Sequence, residues 1–268
     1  MRSGPSSKKK EKHCTPDDPA EQDKGDQWDC TAVDVASRFV VSLEIGKRTP
    51  ETLRALLSNF AQRTGGVVPM LITTDAYQAY APLLMEQYGE WKVPPRTGLP
   101  GRPRMPYLEW PQGSAYATVC KTFKAGAVNR VQRTLVYGTE QALAAALAAS
   151  PVSRTINTAI VERHNGTDRT HNARKVRKTY CFSKCMLMHV AVSWWVIICY
   201  KFHDLHRSLR VKLSDGTYQH RTPAMAIGLQ ERRLTIRELM LTQVTGPERG
   251  RRPTLADFRR QLPVSGAP

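Results

Sequence analysis

Glu162 stands in "INTAIVERHNGTDRTHNARKVRKTYCFSK" (residues 156–184), immediately ahead of a dense run of cations. Asp168 follows, and then come Arg169, Arg174, Lys175, Arg177 and Lys178. A helix that needed only solubility would mix its signs. A carboxylate at the mouth of so basic a segment suits a metal ligand pressed against a polyanion. The second acid of interest is Asp75, at the end of the apolar run in "VVPMLITTDAYQAY". Carboxylates brought together from separate elements can hold Mg²⁺ or Mn²⁺, hard cations that take oxygen ligands and keep waters for a substrate. Two such ions activate a nucleophile and stabilise the leaving oxygen of a phosphodiester displacement. Locally, Asp75 fits an N-cap role equally well.

The elements that must position these acids follow from the pattern of apolar residues. "WDCTAVDVASRFVVSLEIG" holds two β-rich runs around Ala36-Ser37-Arg38 and predicts an antiparallel hairpin. "TPETLRALLSNFAQRTG" has a Thr cap, Pro at the first helical position and apolar residues at helical spacing. A buried strand over 70–73 then runs into Thr74-Asp75 and a helix. The order strand, strand, helix, strand, helix is an α/β layer pattern, with Asp75 at the carboxyl end of a strand, where open sheets place their sites. "YATVCKTFKAGAVNRVQRTLVYG" predicts two strands around a Gly turn, and "TEQALAAALAAS" an Ala-rich helix capped by Thr139. Residues 1–27 read as a polar arm, 28–240 as one domain with an insertion over about 92–150, and 241–268 as a basic tail.

The net charge of +17 is spread through the 268 residues, which points to a polyanionic partner, nucleic acid ahead of membrane. A generally Arg-rich composition is the bland alternative. Six scattered cysteines without a CxxC pair suggest reduced thiols and a cytoplasmic setting. Cys181, Cys185 and His189 are spaced i, i+4, i+8, too far along one helix to close a tetrahedral site, and are expected to pack. "MLMHVAVSWWVIICY" (186–200) is too short to span a bilayer and reads as a core helix buried nearly all round, with Trp194 and Trp195 in the packing. His203 and His206 suit either a structural role or a phosphate contact. "GRPR" within the Pro/Arg-rich stretch 92–113 is similar to a minor-groove peptide core, although a plain loop explains it too.

Three blocks, "WDCTAVDVASRFVVSLEIGKRT", "LITTDAYQAY" and the 156–184 segment, resemble the DDE transposases of bacterial insertion sequences, specifically those similar to the Insertion Sequence One group. "YKFHDLHRSLR" with "RTPAMAIG" resembles the tail that such enzymes carry behind their last acid. The blocks thread most of 28–240 in order, and Glu162-Arg163-His164-Asn165 followed by basic residues and FSK is the most specific.

The resemblance implies a ribonuclease-H-like, retroviral-integrase-like mixed sheet flanked by helices, with a Pro/Arg-rich loop and hairpin inserted. It implies metal-dependent cleavage and strand transfer at element ends, with double-stranded DNA as partner, self-association on DNA, nucleoid association, and neither a membrane nor a small-molecule cofactor. Carried over, Asp75 is the second acid and Glu162 the third. Arg163 and Asn165 sit beside the Glu, and Arg169, Arg174, Lys175, Arg177 and Lys178 form the expected DNA bed. The family's first Asp lies on a strand preceding "WDCTAVD", in an Asp-Glu-x-Trp setting that this sequence does not contain. The expectations are therefore an amino-terminally clipped chain, or Asp34 as substitute, though Asp34 heads a turn. Beside the enzyme stand two alternatives: an inactive DNA-binding remnant, and a basic RNA-binding protein.

Overall fold

The computed structural model describes residues 6–7, 14, 25–95, 104–176, 180–181 and 183–242. In chain order the first elements are β1 (Ser6–Ser7), β2 (Gly25–Asp26), β3 (Trp28–Val33), β4 (Val40–Gly46), α1 (Pro50–Arg63), β5 (Leu71–Asp75) and α2 (Tyr80–Tyr88). Then follow β6 (Glu90–Lys92), β7 (Tyr107–Glu109), β8 (Ala115–Lys124), β9 (Ala127–Tyr137), α3 (Glu140–Ala149) and α4 (Ala159–His171). The last are α5 (Met186–Phe202), β10 (His206–Lys212), β11 (Tyr218–Arg221), α6 (Pro223–Ala226) and α7 (Ile236–Leu241).

The protein is α/β. Its mixed sheet has β5 parallel to β8 and β8 antiparallel to β9, and helices flank it. The parallel pair matches Asp75 with Val119, and the hairpin closes through Ala125 and Gly126, whose φ values of 51° and 81° give the two-residue turn a twist that suits its strands. The stretch that the sequence assigned to an insertion therefore supplies two of this sheet's three strands.

β3 and β4 form the antiparallel hairpin expected from the sequence, a separate two-stranded sheet. Among the described residues β3 pairs with β4 alone and β5 with β8 alone, so each keeps an edge without a strand partner. Part of the stretch read as an arm is ordered into strands: Ser6 pairs with Asp26 and Ser7 with Gly25. The rest of that arm, and 243–268 of the basic tail, lie outside the described residues.

Helix α1 begins where the sequence placed it. Thr49 Oγ1 accepts from the Thr52 amide at 3.4 Å, and Pro50 opens the first turn. Its Leu53, Leu56 and Leu57 join Leu83, Leu84 and Tyr88 of α2 and Tyr116 of β8 in the largest core cluster, against which Cys30 of β3 and Ile72 of β5 also pack. Both sheets thus offer one face to the same helix layer. On β4, Ser42 and Glu44 bond to α1 residues, while Leu43 and Ile45 join the cluster of Ile197, Tyr200 and Trp194 on α5. The alternation that made β4 a strand also makes it the middle of a sandwich.

α5 runs two residues past its expected end and is less enclosed than the sequence suggested. Leu187 and Met188 are exposed, because the first turn projects beyond the hairpin that covers Ile197 and Tyr200. Lys201 is buried against this hairpin: Nζ donates to the Val40 carbonyl at 3.2 Å and lies 4.7 Å from the Phe39 ring centroid. Burial, followed by the nearby Arg63 charge, pushes its pKa down from 10.5 to about 7. Between those values the unfolded chain holds a proton that the folded chain lacks, so stability rises with pH across that window. Lys201→Met is expected to gain about 1–4 kcal/mol at pH 7, and urea unfolding should show the gain fading toward pH 10.5.

Candidate functional site

Strand alternation decides which side chains meet at the carboxyl end of β5. Thr73 and Asp75 point to one face of the sheet, together with Ala117 and Val119 opposite them and Lys121 one step further along β8. Ile72 and Thr74 point to the other face, where Thr74 Oγ1 lies 2.8 Å from Tyr116 Oη. Asp75 is half exposed, and Arg48 Nη2 donates to its Oδ2 at 2.7 Å. That guanidinium is sandwiched between aromatic rings, 4.9 Å from the Trp28 centroid and 4.3 Å from that of Tyr77. Tyr77 Oη also donates to the Arg48 carbonyl at 3.0 Å, which fixes the loop ahead of α1 beside the strand end.

Glu162 reaches the same face from a distant part of the chain. The segment leading into α4 is tied to the sheet by Thr73 Oγ1, which donates to the Asn157 carbonyl at 3.3 Å, and by Arg133 Nε, which donates to the Ile156 carbonyl at 2.7 Å. One turn into the helix, Glu162 accepts from Lys121 Nζ at 2.5 and 2.6 Å on its two oxygens, and from Thr158 Oγ1 at 2.6 Å. By strand geometry the Lys121 and Asp75 backbones are roughly 8 Å apart. The two acids named from sequence thus flank one patch of sheet, and each carries a cation.

The other sequence candidates fare differently. Asp34 sits in the β3–β4 turn, where its Oδ2 accepts from the Ser37 amide at 2.8 Å and from the Ser37 hydroxyl. It is no substitute ligand, because it lies at the far end of a strand whose other end, Trp28, is the one beside Arg48 and Asp75. Six residues of strand span roughly 20 Å.

Lys175 is a correction of the DNA-bed assignment. It is 5% exposed, and its Nζ lies 2.6 Å from Asp29 Oδ2 and 2.7 Å from Asp168 Oδ2. Two buried carboxylates from β3 and α4 claim its charge, so it has none to offer a phosphate. Asp29 has its pKa raised by burial, with Lys175 opposing the shift. Arg163 is exposed, while Asn165, Arg169 and Arg174 are half-buried, and Arg177 and Lys178 lie outside the described residues.

Cys181 and Cys185, expected to pack, are exposed. His189 is buried with its Nδ1 2.9 Å from Ser183 Oγ, and burial holds its pKa down at about 4. His203 takes the structural alternative, with Nδ1 2.7 Å from the Leu234 carbonyl.

Sequence reasoning missed Lys121, Arg48 and Thr158. Thr158 stands four residues ahead of Glu162, a spacing that brings side chains together on a helix. Lys121 was legible only as a strand residue of unknown pairing. Arg48 lies in a loop and carried no signal at all.

The two carboxylates are suited in type to a hard divalent cation, since both are oxygen donors on one face. They are two donors, and among the described residues no three Asp, Glu, His or Cys side chains gather into a metal-holding group. No described helix is long and apolar enough to cross a membrane. Comparison with family models, curated proteins and solved structures found no match to this chain.

Proposed function

We propose that this chain is a DDE-type transposase domain of ribonuclease-H-like fold, acting on double-stranded DNA with a divalent cation. One observation carries the reading: Asp75 at a strand end and Glu162 on a later helix flank the same patch of sheet, beside Lys121. That is the placement the sequence resemblance requires of the second and third acids. In the same frame the first Asp comes from a strand alongside β3, whose outer edge has no strand partner among the described residues. Asp75 and Glu162 would hold the cation, whose chemistry is Lewis-acid activation of water or a 3′-hydroxyl and of the phosphoryl oxygen. Arg48 and Lys121 would release the carboxylates and turn their charge to the DNA backbone. Asn165, Arg169 and Arg174 remain the candidates for backbone contacts near the acids.

A second reading is supported by the two cations already neutralising the acids: a chain that binds DNA and does not cut it. Nicking of supercoiled plasmid in Mn²⁺, against an EDTA control, separates the two. Mn²⁺-dependent nicks support the enzyme, and tight binding without nicks supports the silent binder.

Lys121 gives an independent handle. Because its ammonium spans both Glu162 oxygens, Lys121→Met frees them, and Mn²⁺ affinity is expected to rise by roughly tenfold, the value of about 1.4 kcal/mol from a half-buried pair. Titration calorimetry reads this directly. An unchanged or weaker Mn²⁺ affinity would remove Glu162 from the ligand set.

A further inference from the structure

A cavity of about 860 Å³ lies away from the two acids, between α4 and the start of β10. On α4 its wall is the face formed by Ile160, Arg163, His164 and Thr167. At about 100° per residue, Glu162 stands about 160° round the helix from Ile160, so it faces the sheet while this wall faces Tyr200 of α5 and the start of β10. Arg207 and Arg210 enter from β10, and Arg38 from the β3–β4 turn. Four arginines thus line a groove whose one acid is Asp204, itself 3.5 Å from His171 Nδ1.

Several polar groups in these walls have no hydrogen-bond partner from the protein. Arg38 Nη1, both ring nitrogens of His164 and His206 Nε2 are buried without a hydrogen-bond partner. Native proteins satisfy nearly all such atoms, so a cluster of them beside an open groove calls for an explanation. Arg38 also adopts a φ of 63°, a left-handed conformation that costs a non-glycine residue energy. His164 is held neutral by burial, with its pKa at about 4, and so offers a hydrogen-bonding ring rather than charge. The arginines give the groove its fixed positive charge.

We infer that this groove binds a nucleic-acid backbone, on the side of α4 opposite to Glu162 and separate from any strand lying at Asp75 and Glu162. The arginines come from three elements and spread along the groove, which suits a run of phosphates better than a single one. Each guanidinium can take a phosphate through paired donors. This assignment does not depend on metal binding or strand cleavage.

The test is fluorescence anisotropy of a labelled 30-base-pair DNA across 50–200 mM NaCl, with the triple variant Arg163→Gln, Arg207→Gln, Arg210→Gln. Losing three phosphate contacts should flatten the log–log salt slope by about 2.7, so wild type loses about 40-fold more affinity than the variant over that range. Arg54→Gln with Arg232→Gln, which removes exposed charge elsewhere, should leave the slope within one unit. Arg38→Gly keeps a backbone conformation open to glycine, and should weaken DNA binding without lowering Tm. A slope change below one in the triple variant overturns the inference. So does equal competition by polyglutamate and by unlabelled DNA, which would mark a general polyanion surface. If Asp75→Asn abolishes nicking while the slope is unchanged, the groove and the acid site are distinct. If wild type never nicks, the groove result still stands on its own.

Discussion

A Lys175→Met chain is expected to lose about 3–5 kcal/mol of stability, the cost of breaking a buried ion pair by removing one partner. Lys175 Nζ is shared between Asp29 Oδ2 at 2.6 Å and Asp168 Oδ2 at 2.7 Å, and all three side chains are almost wholly enclosed. Without the ammonium, two carboxylates face one another in a dry site, and the cheapest response is for one to take a proton. Asp29 is already pushed toward its neutral form by burial, with Lys175 as the main opposing influence. Its folded pKa in the variant should therefore rise further. A group with a raised folded pKa contributes stability that is full below its unfolded value, 3.8, and is lost as pH rises through the folded value. The variant should accordingly be more stable at pH 5 than at pH 8. Urea unfolding at the two pH values measures this, and Asp29→Asn added to Lys175→Met should recover much of the loss. A single variant with wild-type stability at pH 8 would show that the triad is not closed in solution.

Asp75→Asn and Glu162→Gln should each lower Mn²⁺-dependent plasmid nicking on the order of 10²–10³-fold, the usual consequence of removing one group that stabilises developing charge. Both substitutions keep size and an acceptor oxygen, so Arg48 and Thr158 retain partners. Asp75 is half exposed, and its pair with Arg48 contributes at most about 1 kcal/mol to folding. A fall in activity with Tm held constant thus identifies a role in chemistry. DNA affinity at 0.15 M salt should stay level or increase, because a negative charge has left a surface facing phosphates. Nicking that survives either substitution would refute the acid assignment, and the groove behind α4 would become the main functional feature of the chain.

The contrast between Lys175 and Glu162 shows what the sequence could carry. Both lie in the same basic segment, and spacing alone made Lys175 one more cation of a DNA bed. Its burial depends on Asp29, which sits on β3 and approaches only when α4 and α5 close over the hairpin. Asp75 was legible because an apolar run ending in an acid before a helix is a local pattern that marks either a site at the strand end of an α/β sheet or a helix cap. Asp34 had the same local appearance, and its hydrogen bonds to Ser37 hold it in a turn instead.

The sequence by itself determined the α/β order, the hairpin, the capped start of α1, the two acids worth naming and the positive charge. Each of these depends on a residue's near neighbours or on composition, which the chain carries into any fold. Only the tertiary structure decided that β8 lies parallel to β5, that Lys121 therefore reaches Glu162, that Lys175 is consumed inside, and that arginines from three elements line one groove. Those outcomes depend on strand register and helix closure between residues far apart in sequence. There, side-chain reach is set by the packing of whole layers rather than by local preference.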